Sequence, residues 1–259
     1  MSPVKGVFVR QGRRSEFREI VLDDSTVAHV HCSGTGTDTY VLVHGIGASS
    51  RYFRPLAEEL SRVGTVFAID LPGFARTPKP ARSLSIPEYA EITWRCLDEL
   101  SVVRPILVGH SMGAQIVVEM ARLRAAARGV VLLGPTVNRV ERAALPQTAR
   151  LAQDTLKEPA KINAIVFSDY LFRCGLVWYI RTLPHMLRHR IDEAIREVRV
   201  PTVIVRGIAD PIAPRSWVDE LAAQCPVAEV AEIAGERHVL MYRSAPEVAL
   251  LCRKLAAAV

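Results

Sequence analysis

The stretch PILVGHSMGAQIVVEMARLR, residues 105–124, decides the fold. Pro105 to Val108 is short, apolar and β-branched, which suits a buried strand, and from Met112 to Arg124 apolar residues return at helical spacing. Between them Gly109-His110-Ser111-Met112-Gly113 matches G-x-S-x-G, the pattern of a sharp strand-to-helix turn with a serine hydroxyl exposed at its tip. The turn is so tight that flanking side chains would collide, and glycines at 109 and 113 remove them. Ser111 then stands next to a helix N-terminus, which favours developing negative charge.

Working outward, the same alternation repeats. Tyr40 to His44 reads as a buried strand running into Gly45-Ile46-Gly47, and Phe53, Leu56, Ala57 and Leu60 mark a helical face. Thr65 to Asp70 is a strand ending in Leu71-Pro72-Gly73. Ser85, three residues before Glu88, gives the capping-box start of a helix. Val130 to Leu133, Thr202 to Arg206 and Val227 to Ile233 are further strands, and a C-terminal helix begins near Pro246. Upstream, Phe17 to Cys32 reads as a hairpin turning at Asp23-Asp24-Ser25. Alternating strands and helices imply an α/β fold, a mostly parallel, doubly wound sheet with its active site at the carboxyl ends of the strands. Between Pro135 and Val198 the alternation stops, and an aromatic-rich helical pattern intervenes.

Composition bounds the rest. The 259 residues are 49% apolar and 23% charged, ordinary for one soluble domain. The net charge of +6 is mostly arginine spread along the chain, without a basic stripe interleaved with aromatics, so nucleic acid is not an expected partner. Apolar runs such as Gly129 to Pro135 are strand-sized, far short of a bilayer span, and residues 1–16 have no signal-peptide character. A cytoplasmic location is expected. Cys32, Cys96, Cys174, Cys225 and Cys252 are odd in number and widely spaced, which suits reduced buried thiols rather than a zinc site.

A serine hydroxyl needs a base. His29 and His31 fall in the hairpin, His185 and His189 in the insertion, His110 adjoins Ser111 and points elsewhere, and His44 suits loop shaping. His238, in the loop after the last strand, remains. The imidazole needs a carboxylate, and the chain order Ser, acid, His selects Asp210 in Gly207-Ile208-Ala209-Asp210-Pro211. Asp70 precedes the serine and is expected to brace the Leu71-Pro72-Gly73 turn. An oxyanion needs two donors, expected from the main-chain N–H groups of Met112 and of Ile46, with Gly45 and Gly47 letting the backbone approach.

Together these residues resemble the α/β-hydrolase superfamily from about Tyr40 to the C-terminal helix, including Asp70-Leu71-Pro72-Gly73-Phe74-Ala75. The resemblance implies an eight-stranded sheet, a core of residues 1–135 and 200–259, a helical cap of residues 136–199 between strands six and seven, and no metal or organic cofactor. Relatives that open epoxides or cleave haloalkanes resemble this fold but carry Asp where Ser111 stands. Carbon–carbon hydrolases usually have Asn at the position of His110, and type II thioesterases share G-H-S-M-G-A but differ in the upstream oxyanion segment. Hydrolysis of a carboxylic ester of a small, largely apolar substrate is the expected activity. Phe167, Tyr170, Leu171 and Trp178 are expected in the pocket, and the protein is expected as a monomer or homodimer. Carbon–carbon cleavage, thioester hydrolysis and a triad-retaining small-molecule receptor are the alternatives.

Overall fold

A computed structural model describes residues 6–11, 16–23, 26–141, 164–165, 168–169 and 174–259. Among the described residues nine strands form one sheet: β1 (Gly6–Gln11), β2 (Glu16–Asp23), β3 (Thr26–Ser33), β4 (Asp38–Val43), β5 (Gly64–Asp70), β6 (Ile106–His110), β7 (Gly129–Leu133), β8 (Thr202–Gly207) and β9 (Ala228–Ile233). Their order is β1-β2-β3-β5-β4-β6-β7-β8-β9. The first four in that order pair antiparallel, and every pairing from β5 to β9 is parallel. The sheet thus has the eight strands that the resemblance implies, β2 to β9, and a ninth, β1, which sequence reading left unassigned. The hairpin of β2 and β3 forms as expected, with residues 24 and 25 of its turn outside the described residues.

Strands β6, β7 and β8 are buried along their whole length, as strands covered on both faces must be. Successive side chains go to opposite faces. Val41, Val43, Leu107, Val130, Leu132 and Ile204 join one apolar cluster, with Trp94 and Leu97 of α2 (Ile86–Glu99), Met120 of α3 (Met112–Leu123) and Trp217. Tyr40, Leu42, Ile106, Val108, Val131 and Val205 join the other, with Leu56 and Leu60 of α1 (Arg54–Leu60) and Val248 and Cys252 of the C-terminal helix Ala245–Ala258. α2 starts at the expected capping box, in which Ser85 and Glu88 each satisfy the other's backbone N–H. All five cysteines are free and buried.

Between β7 and β8 the described residues include α4 (Leu176–Arg188) and the short α5 (Ile191–Ala194). Trp178 of α4 is buried with its ring against Gly73, where an added Cβ would stand 2.2 Å from Cε2. Gln115 of α3 donates to the carbonyl of Met186, and Nε2 of His189 lies 2.8 Å from Glu119. Buried Asp169 accepts from the hydroxyl of Ser49 and from Nη1 of Arg51. Phe167, Tyr170 and Leu171 lie outside the described residues. No helix among the described residues is long and apolar enough to cross a membrane, and no group of three or more His, Cys, Asp or Glu among them could hold a metal ion.

Candidate active site

Strand β6 runs through His110, so Ser111 is the single residue between strand and helix. Its backbone is at φ 56° and ψ −118°, a region that costs a serine about 1–3 kcal/mol and persists only where the surroundings impose it. They do so here. An added Cβ at Gly109 would come within 2.2 Å of the Gly113 carbonyl oxygen, and one at Gly113 within 2.1 Å of that of Val43. The Ser111 N–H is held by the Leu133 carbonyl at 3.0 Å.

Asp210 follows β8 and His238 follows β9, both nearly inaccessible. Nδ1 of His238 lies 2.9 Å from Oδ2 of Asp210, and Oδ1 accepts from the N–H groups of Ile212 at 2.8 Å and Ala213 at 3.2 Å. Burial pushes the carboxyl's pKa up, yet His238 and these two N–H groups outweigh it and hold Asp210 below the usual carboxylate value. An ionised carboxylate only accepts, so the proton sits on Nδ1, and Nε2 keeps the lone pair that a base needs. Gly134, after β7 at φ +50°, leaves the space this pair fills; an added Cβ would stand 2.9 Å from Nδ1 of His238 and 3.1 Å from Oδ2 of Asp210.

The loop that carries Asp210 is clamped by Arg206, a buried residue of β8. Its guanidinium donates to the carbonyls of Ala213 at 2.8 Å, Ile208 at 2.9 Å and Asp210 at 3.4 Å, and to Glu232 at 2.5 Å. The charged residue inside the apolar run Thr202–Gly207 was the signal for this role, and sequence reading passed over it.

The loop after β4 holds Gly45, Ile46 and Gly47. Nδ1 of His44 donates to the Gly45 carbonyl at 2.8 Å, and that oxygen also takes the Ala48 N–H at 3.3 Å, which fixes the peptide whose other end is the Ile46 N–H. Nε2 of His44 accepts from the Leu71 N–H at 3.1 Å, so the imidazole is neutral, as its complete burial favours. Met112 opens α3, where an N–H has no partner within the helix. The Leu71 turn is therefore braced by His44 and by Thr77, whose hydroxyl donates to the Leu71 carbonyl at 2.8 Å. This corrects the expectation for Asp70, whose carboxylate instead takes the Ser50 N–H at 2.6 Å and lies 3.3 Å from Nε2 of His31.

His110 turns its ring nitrogens to partners other than Ser111, as expected. Its ring faces His238, with centroids 4.7 Å apart, and both its nitrogens are engaged, one with Tyr52 and one with the His238 carbonyl. Tyr52 had no sequence signal beyond its place next to an apolar helical face.

The fold has known counterparts. The family model described as Alpha/beta hydrolase family matches residues 40–250. The chain belongs to the alpha/beta hydrolase family. Within it, the chain is 33% identical over 103 residues to Uncharacterized hydrolase YugF of Bacillus subtilis strain 168, a match covering 39% of this chain and only 38% of that relative. Among solved alpha/beta hydrolase structures, E-2-(acetamidomethylene)succinate hydrolase superposes with a TM-score of 0.79 at 22% identity, covering 94% of this chain and 99% of that one. The enol-lactonase of Burkholderia xenovorans LB400 gives 0.76 at 18% identity, covering 90% and 97%.

Proposed function

We propose that this alpha/beta hydrolase cleaves a carboxylic ester of a small, largely apolar substrate through an acyl-enzyme on Ser111. The observation that carries the proposal is the bond from Nδ1 of His238 to the ionised Asp210, which leaves Nε2 as a base at the sheet edge where Ser111 follows β6. The Ser111 hydroxyl attacks the ester carbonyl carbon as its proton passes to Nε2 of His238, and Asp210 stabilises the imidazolium. The N–H groups of Ile46 and Met112 receive the oxyanion. Collapse breaks the bond to the alcohol oxygen, which leaves with the proton from His238. Water then attacks the acyl carbon, His238 takes its proton, and the acid departs as Ser111 regains its hydrogen.

Trp178, whose ring packs against Gly73 after β5, would contribute apolar surface beside this edge. The name of one fold relative, enol-lactonase, points to the same class of bond.

A fluorophosphonate should label Ser111 stoichiometrically, with no label on Ser111→Ala by peptide mapping. On p-nitrophenyl esters of graded chain length the protein should release many equivalents of product, with medium-chain or aromatic acyl groups preferred. Label elsewhere, or a single equivalent of product as from a receptor, overturns the proposal.

A further inference from the structure

We propose that Tyr52 and His110 are positioning residues that tie the loop of one oxyanion donor, Ile46, to the loop of the general base, so that both halves of the site keep one geometry. This rests on the reading of Ser111 as nucleophile.

Four groups form a buried chain. The Gly45 N–H lies 2.7 Å from the Tyr52 hydroxyl oxygen, that oxygen lies 2.8 Å from Nδ1 of His110, and Nε2 of His110 lies 3.0 Å from the His238 carbonyl oxygen. Tyr52 and His110 are 2% and 3% exposed, so water does not compete. The hydrogens can be assigned from chemistry alone. A carbonyl only accepts, so Nε2 of His110 carries the proton and Nδ1 the lone pair. The Tyr52 hydroxyl must then give its hydrogen to Nδ1, which leaves its oxygen to accept from Gly45. Each bond thus has one direction, set by the next.

Packing alone would not select these side chains. Leucine or phenylalanine could fill the space at 110, whereas a neutral imidazole is a rigid ring that accepts at one end and donates at the other. Burial and the neighbouring His238 push the His110 pKa well down, which keeps this tautomer in place as pH changes. His110 itself, in β6, is 128 residues from His238 in sequence. Preorganised donors and a base held within a fraction of an ångström are what the reaction needs, and misplacement by about 1 Å can cost roughly a hundredfold.

The test measures turnover per active site, with sites counted by fluorophosphonate titration. Tyr52→Phe should lower kcat roughly 10- to 100-fold with KM within about twofold, and weaken a trifluoromethyl ketone in proportion to kcat/KM. His110→Asn keeps an acceptor for Tyr52 but cannot reach the His238 carbonyl, and should lose kcat by a comparable factor. The double variant should lose less than the product of the single losses, because both cut one chain. Nitrogen NMR of the wild type should find His110 neutral and protonated at Nε2 below the pH at which an ordinary imidazole takes up its proton. If Ser111 labels normally and Tyr52→Phe turns over at the wild-type rate per labelled site, or the losses multiply, or His110 carries its proton on Nδ1, the bridge is overturned while the serine-hydrolase reading stands. Absence of label on Ser111 in the wild type overturns both.

Discussion

Nδ1 of His238 and Oδ2 of Asp210 are 2.9 Å apart in a setting that admits almost no water. Asp210→Asn would present an amide that can donate to Nδ1 and so favour the wrong tautomer. Its kcat should fall by roughly ten-thousandfold with the fold retained by circular dichroism. Asp70→Asn should instead lower the urea midpoint and leave most of kcat, because Asp70 serves the Ser50 N–H and His31.

Gly134→Ala adds one methyl group where Nδ1 of His238 would be 2.9 Å away, on a backbone at φ +50°. The dyad must shift to admit it. A loss of roughly a hundredfold in kcat and of about 1–3 kcal/mol in stability is expected, measured by steady-state kinetics and urea unfolding.

Arg206→Met removes the donors that hold the carbonyls of Ile208, Asp210 and Ala213. Stability should fall by about 2–4 kcal/mol, since buried acceptors lose their partners. Arg206→Lys should recover only part of it, because an ammonium cannot fork toward several carbonyls. Urea midpoints of the two variants decide this.

Acid should destabilise the protein in two windows. His44 and His110 have folded pKa values below the ordinary imidazole value of about 6.5, chiefly through burial. A depressed value means that the unfolded chain binds the proton first. The stabilisation is therefore complete above about pH 6.5 and is lost as pH falls toward the folded values, by up to about 1.4 kcal/mol per pH unit for each proton. Asp210 is also depressed, so its share is lost only below about pH 3.9, the ordinary carboxylate value. Urea midpoints from about pH 8 to 5 should decline below 6.5, and His110→Asn should make the decline shallower.

Much of this was legible in residues 40–250. Strand-sized apolar runs broken by helical spacing give the parallel sheet, and Gly109 to Gly113 announce a turn whose reason is a carbonyl pressed against each glycine. Strand β1 escaped because Gly6–Gln11 alternates weakly and gains its order from pairing with β2. The partners of Asp70 and the bridge through His110 were invisible for another reason. Side-chain hydrogen bonds between residues far apart in sequence follow from three-dimensional placement, which no local pattern encodes, and a histidine next to Ser111 has the same sequence whichever way its ring turns.

The order of the sheet also bears on how the protein acquires its site. Ser111 follows β6, Gly134 follows β7, and Asp210 and His238 follow β8 and β9, so four adjacent strands must be in register before the whole site has its shape. Pairings this distant along the chain close late and slowly. A refolding chain should thus regain its strand signal before it can react with a fluorophosphonate, which would make Ser111 labelling a clock for the last step of assembly rather than the first.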